Sequence, residues 1–147
     1  MNELLGDAAS RAQRYLDRLD ARPVAPGADA LAALSAFDMP LPERANDPAA
    51  TLRLLDETGS PATMAMAGPR FFGFVIGGSL PVALAANWLA GAWDQNSALY
   101  RSTPGTAHIE QVALRWLLDV LSLPEGCGGA FVTGATVANH VPIVRHP

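Results

Sequence analysis

Lysine is missing from this sequence, in which all 10 basic residues are arginine. Without lysine, no side-chain amine among the 147 residues can form a Schiff base with an aldehyde. Cysteine is nearly missing too: Cys127 stands alone, which excludes a disulfide within the chain. We therefore expect a reducing, cytoplasmic setting.

Concentrated positive charge is also lacking. The formal net charge is −4 and the arginines form no basic stripe, so we expect no nucleic-acid partner. The first residues include Glu3 and Asp7 and show no basic start followed by an apolar block, which argues against a signal peptide. Half of the residues are hydrophobic, and this composition excludes a disordered chain.

No charged residue occurs between Arg70 and Asp94. The intervening run, FFGFVIGGSLPVALAANWLAGAW, is long enough for a membrane span, but glycines and Pro81 interrupt its first half. The part with helical character, residues 81–93, is too short to cross a bilayer. We expect no membrane span, and instead a helix buried in a large protein or at a subunit interface.

The remaining pattern is mainly helical. Apolar residues at three- and four-residue spacing predict a helix over about 2–20 and another after Thr103, and short helices are expected over about 28–37 and 48–57. Asp47 and Thr103 each precede a proline, as helix N-caps often do. The apolar stripe through Ile109 and Trp116 is wide enough to predict a core-facing side for the last of these helices.

The stretch FVTGATVAN predicts a strand at Phe131–Thr133, a turn and the start of a helix. Gly134, Ala135 and Thr136 would then stand at a helix N-terminus, where small side chains and unpaired N–H groups suit a phosphate. Many such turns cap a helix and bind nothing, so the residues of this turn leave both interpretations open.

Several motifs between residues 66 and 139 occur in an order that resembles one enzyme family. They are Gly68-Pro69-Arg70-Phe71, the uncharged helix, Thr103-Pro104, Glu110 with Trp116, Leu123-Pro124, and the glycine turn through Asn139. With its motifs in this order, the sequence resembles the pyridoxal-phosphate-dependent group II decarboxylases, which include the aromatic-amino-acid and glutamate decarboxylases.

The resemblance implies an α/β parent of fold type I with a mostly parallel sheet. This chain would supply a mostly helical part with one strand at Phe131–Thr133. Residues 1–103 would form an N-terminal helical arm and pocket-wall segment, and residues 104–147 the start of the large domain that binds the cofactor. The family is also dimeric, so we expect a homodimer.

The resemblance also assigns candidate site residues. Gly134, Ala135 and Thr136 match the turn that holds the phosphate of pyridoxal 5'-phosphate in the family. Phe71, Phe72 and Phe74 match an aromatic stretch that walls the amino-acid pocket near the dimer interface, although core packing remains an alternative for these three. The implied activity is that of an amino-acid carboxy-lyase, with the particular amino acid left open.

The sequence departs from the family at several points. Gly68 replaces a histidine and Val137 replaces an acidic residue, and the family-like sequence gives way to HVPIVRHP after Asn139. We hypothesise a frameshift or premature stop there, which would make the chain an N-terminal fragment. Because the family's lysine is absent, we expect no decarboxylation by the chain alone. The alternatives are a small helical interaction module that pairs with an intact paralogous decarboxylase, and a membrane-associated peptide.

Overall fold

The protein is described by a computed structural model, which covers residues 1–96 and 99–140. Six α-helices lie in these ranges: α1 (Asn2–Asp17), α2 (Ala28–Ala33), α3 (Pro48–Leu54), α4 (Pro81–Trp93), α5 (Pro104–Val120) and α6 (Ala135–His140). A 3-10 turn, Leu34–Phe37, extends α2, while a π-helical turn, Leu55–Gly59, and a 3-10 turn, Ser60–Ala62, extend α3. Most of the segment HVPIVRHP, on which the hypothesis of a frameshift or premature stop rests, lies outside the described residues.

The predicted strand at Phe131–Thr133 is wrong for this chain. Over the described ranges the structure contains helices and loops but no strand, and residues 131–133 are irregular. A strand needs a neighbouring strand to pair with its backbone N–H and C=O groups. No described segment supplies that neighbour, so a β-favouring sequence alone does not produce a strand here.

The helix starts follow the local signals closely. The Asp47 carboxylate accepts a hydrogen bond from the backbone N–H of Ala49 at 3.1 Å, which confirms the predicted N-cap of α3. Helix α5 begins at Pro104 as predicted, but the Thr103 side chain does not cap it. The Thr103 hydroxyl is buried and donates instead to the carbonyl oxygens of Asn96 and Leu99, at 2.6 and 3.2 Å.

The chain divides into two compact units, Met1–Ala83 and a second that starts at Leu84. In the first unit, the segment after α3 is hydrogen-bonded to the end of α1. The Tyr15 hydroxyl lies 2.8 Å from the Thr63 hydroxyl, and the backbone N–H of Ala65 donates to the Val24 carbonyl at 2.9 Å. Ala65 is consequently 2% exposed and Leu19 7% exposed, and these two residues form the buried centre of this contact.

The second unit leaves its apolar helix face largely uncovered. Ala107 is buried in α5, but Trp116 is 70% exposed and Val120 is 77% exposed. The predicted core-facing side of α5 is therefore present as a stripe but not buried, because a core requires a second packed layer. Helix α4 has the predicted bounds and contains no buried residue.

The uncharged run, residues 71–93, was considered above as a possible membrane span. Within the described part of the chain, no helix is both long enough and apolar enough to cross a membrane.

Candidate functional site

The aromatic stretch after Arg70 forms a short irregular segment in the first unit. Phe71 is 9% exposed and its ring lies 6.3 Å from the ring of Phe74, centroid to centroid, with 38° between the ring planes. This separation falls in the range of favourable aromatic pairs. Phe72 and Phe74 are exposed, at 91% and 77%. Core packing therefore accounts for Phe71 and leaves the other two rings available for a ligand or partner.

The backbone of this segment is strained at two consecutive residues. Phe74 and Val75 have φ values of 58° and 56°, in the left-handed region that disfavours residues with a Cβ atom. Such a conformation costs about 1–2 kcal/mol per residue. Val75 is fully exposed, so its side chain makes no contact that would offset this cost.

Arg70 fixes the start of the aromatic segment, a role that sequence reasoning missed. Its guanidinium donates to the carbonyl oxygen of Asp20 at 2.9 Å and also to that of Arg22. Nearby, a Cβ atom at Gly68 would lie 3.2 Å from the Ala65 carbonyl oxygen, so the absence of a side chain permits a close approach. In the sequence, Arg70 follows a proline and is the last charged residue before the uncharged run. This position is the only sequence signal that could have indicated its role.

Gly134, Ala135 and Thr136 lie together at the start of α6, as their adjacency requires. The backbone N–H of Ala138 donates to the Gly134 carbonyl at 3.0 Å, which places Gly134 at the helix N-cap. No atom lies within 4 Å of the point where a Gly134 Cβ would stand, and all three residues are exposed. The first turn of an α-helix directs N–H groups outward at such a point. The turn is thus open and small, with the donor chemistry that a phosphate group needs.

The loop before this turn packs against α5 and borders an open groove of about 530 Å³. Its lining includes Leu114, Cys127 and Phe131. A Cβ atom at Gly129 would lie 3.1 Å from the Leu114 side chain, so glycine allows the loop to approach the helix. This contact positions the segment that leads into Gly134. The two groups of predicted site residues belong to different compact units.

The described residues contain no group of three or more His, Cys, Asp or Glu side chains that could hold a metal ion.

Comparison with known proteins finds relatives that are amino-acid decarboxylases. No family model matches the chain. It is similar to an aromatic-L-amino-acid decarboxylase of Bacillus atrophaeus, with 26% identity over 125 residues, or 85% of this chain and 26% of the relative. It is also similar to tryptophan decarboxylase 1 of Oryza sativa subsp. japonica, with 27% identity over 96 residues, or 58% of this chain and 19% of the relative.

Among solved structures, the chain matches mouse CSAD with a TM-score of 0.81 and 19% sequence identity. The match covers 94% of this chain and 29% of the mouse chain, and it shows a shared fold. The fold and the curated relatives support the predicted relationship to group II decarboxylases and agree with a fold type I parent. The chain spans between 19% and 26% of the length of these curated relatives.

Proposed function

We propose that this chain forms the N-terminal part of a pyridoxal-phosphate-dependent decarboxylase of amino acids. The observation that carries the proposal is the similarity to the Bacillus atrophaeus decarboxylase, which extends over 85% of the chain. The order of the motifs between residues 66 and 139 supports it independently of overall identity. We further propose that residues 1–103 form the arm and pocket wall of this enzyme, and residues 104–147 the start of its cofactor-binding domain, in the cytoplasm.

The turn at Gly134, Ala135 and Thr136 fits the phosphate of pyridoxal 5'-phosphate. The space around Gly134 is open, so an anion can approach the backbone at the N-terminus of α6. When bound, the cofactor acts as the electron sink for loss of the carboxylate. The role of this turn is to orient the cofactor through its phosphate. None of the 147 residues is a lysine, so the chain does not supply the amine that holds the cofactor aldehyde in the family.

Phe72 and Phe74 are proposed as part of the wall of the amino-acid pocket. Their rings are exposed in the isolated chain, while the buried Phe71 supports Phe74 through the tilted ring contact. Apolar rings at this position would exclude water and pack against the substrate side chain. The names of the two curated relatives make aromatic L-amino acids the first substrates to test.

A homodimer is the third part of the proposal. Helix α4 exposes Val82 at 73%, Trp88 at 45% and Trp93 at 51%. Exposed apolar surface of this kind typically marks an interaction site. We propose that a second subunit covers α4.

The same exposed helix favours the alternative function, a small helical module that pairs with an intact paralogous decarboxylase. In that case the lack of lysine would be of no consequence, since the partner would supply the reacting amine. The two proposals differ in which polypeptide releases carbon dioxide.

The test is an activity measurement on the polypeptide as cells produce it. We would purify it with an antibody against residues 1–96, determine its mass, and measure carbon dioxide release from carboxyl-labelled L-amino acids with added cofactor. We expect release by a polypeptide that carries these residues itself, and none by the 147-residue chain alone. Activity that resides only in a separate co-purifying decarboxylase would support the alternative. If neither the purified polypeptide nor a co-purifying decarboxylase releases carbon dioxide from any amino acid, both proposals are wrong.

A further inference from the structure

The first unit contains a cleft that the proposed decarboxylase chemistry does not use. Four arginines line this cleft, two on α1 and two in the segment that follows α1. The cleft has a volume of about 330 Å³, which is within the range of small-molecule sites. Arg11, Arg14, Arg18 and Arg22 line it, opposite the carboxylates of Asp56 and Glu57 on the π-helical turn. Positive charge therefore exceeds negative charge in its lining.

One carboxylate in the cleft is already fully engaged. The Asp56 carboxylate accepts hydrogen bonds from Arg11 and from the Ser60 hydroxyl, each at 2.9 Å. Arg11 also binds Asp7 at 2.9 Å, so its charge is neutralised within the protein. The guanidinium of Arg14 reaches Asp56 at 3.7 Å, an ion pair that is too long for a hydrogen bond.

Two other arginines retain charge without a carboxylate partner. The Arg22 guanidinium lies 4.9 Å from the centre of the Tyr15 ring and donates to the carbonyl oxygens of Thr63, at 2.7 Å, and Pro61, at 3.2 Å. These contacts fix its position but leave its charge uncompensated. Arg18 is exposed, and within the described part of the chain no hydrogen bond or ion pair engages its guanidinium.

We propose that this cleft binds a compact oxyanion of the phosphate class. Arg14 and Arg18 lie one helical turn apart, so their guanidinium groups can bind the same anion from adjacent positions. A doubly charged tetrahedral anion offers oxygens on several sides, and guanidinium forks bind such oxygens in pairs. Arg22, held by the carbonyl oxygens of Thr63 and Pro61, also lines the cleft, while the Glu57 carboxylate in the same lining limits the affinity.

The test is a phosphorus NMR titration of inorganic phosphate with the 147-residue chain at pH 7, with ionic strength held at about 0.15 M by sodium chloride. We expect saturable binding that Arg14→Gln and Arg18→Gln each weaken by about tenfold, since each removes a charge-assisted contact. Arg44→Gln changes net charge equally at an exposed position outside the cleft and should leave the Kd unchanged. Glu57→Gln should strengthen binding, an effect that a purely structural role would not produce.

The Arg18 side chain is exposed and makes no hydrogen bond or ion pair with the described residues, so its replacement should test binding without loss of the fold, which circular dichroism would check. The proposal is wrong if the chain shows no saturable phosphate binding. It is also wrong if Arg14→Gln and Arg18→Gln bind as tightly as Arg44→Gln. Succinate at the same ionic strength is the second probe, and equal affinity for this flexible dicarboxylate would overturn the assignment to the phosphate class.

Discussion

The guanidinium of Arg11 holds the carboxylate of Asp56 at 2.9 Å across 45 positions of sequence. The two side chains are 18% and 25% exposed, so solvent screens the pair only in part. This ion pair joins α1 to the π-helical turn after α3. It also provides one wall of the arginine-lined cleft.

The pH dependence of stability should reflect Asp56. Partial burial raises the pKa of its carboxyl, but the hydrogen bonds from Ser60 and Arg11 outweigh burial and leave that pKa below the ordinary value of 3.8. The stabilisation is therefore present above that pH and is lost as the pH falls through the folded-state pKa. Asp56→Asn should lower the urea midpoint at pH 7 and flatten its decline between about pH 5 and pH 2. Asp38→Asn, at an exposed carboxylate, is the control, and equal pH profiles for the two variants would contradict this role of Asp56.

Loss of the Arg70 contacts should loosen the first unit. Arg70→Gln removes the charge-assisted hydrogen bonds to the carbonyls of Asp20 and Arg22. Because the side chain is exposed, we expect a loss of about 1 kcal/mol in the free energy of unfolding, measured by urea denaturation. Arg53→Gln, an exposed arginine on α3, should change stability by less than half of this. Equal losses for both variants would show that Arg70 does not anchor the segment.

Glycine at position 75 should stabilise the isolated chain. Val75 has a φ of 56° and a fully exposed side chain, so Val75→Gly relieves backbone strain and removes no packing. We expect a gain of about 0.5–1 kcal/mol. Val82→Gly places the same change at an exposed helical position in α4 and should cost about 0.3–0.5 kcal/mol, since valine is itself a poor helix former. Thermal unfolding of both variants distinguishes these effects, and destabilisation by Val75→Gly would contradict the strained conformation.

A side chain at Gly134 should interfere with the cofactor. Gly134→Val fills open space at the start of α6 and so leaves the fold intact while it blocks the approach of a phosphate. We expect the affinity of the cell-derived polypeptide for pyridoxal 5'-phosphate to fall by about tenfold or more, measured by absorbance titration. Gly128→Val also enters open space, but in the preceding loop, and serves as the control. Unchanged affinity in Gly134→Val would remove this turn from the proposed cofactor site.

Local sequence determined where the helices begin. The Asp47-Pro48 pair fixes the start of α3 through a cap that spans two residues, and the proline at position 104 fixes the start of α5. The bounds of α4 follow from Pro81 and from the apolar run that ends before Asp94. Such signals act over a few residues, so they can be identified from the sequence without knowledge of the fold. The glycine turn at 134–136 was predicted as a helix start for the same reason.

Strand pairing, the burial of helix faces and the long-range contacts were decided by the tertiary structure alone. The strand-like sequence at 131–133 forms no strand, because pairing depends on a neighbouring segment rather than on β propensity. The apolar stripe of α5 stays exposed, because burial needs an opposing surface. The Arg11–Asp56 pair, the Arg70 contacts and the arginine-lined cleft join residues more than 30 positions apart. No spacing rule reaches that far, since only the folded backbone brings such residues within hydrogen-bond distance.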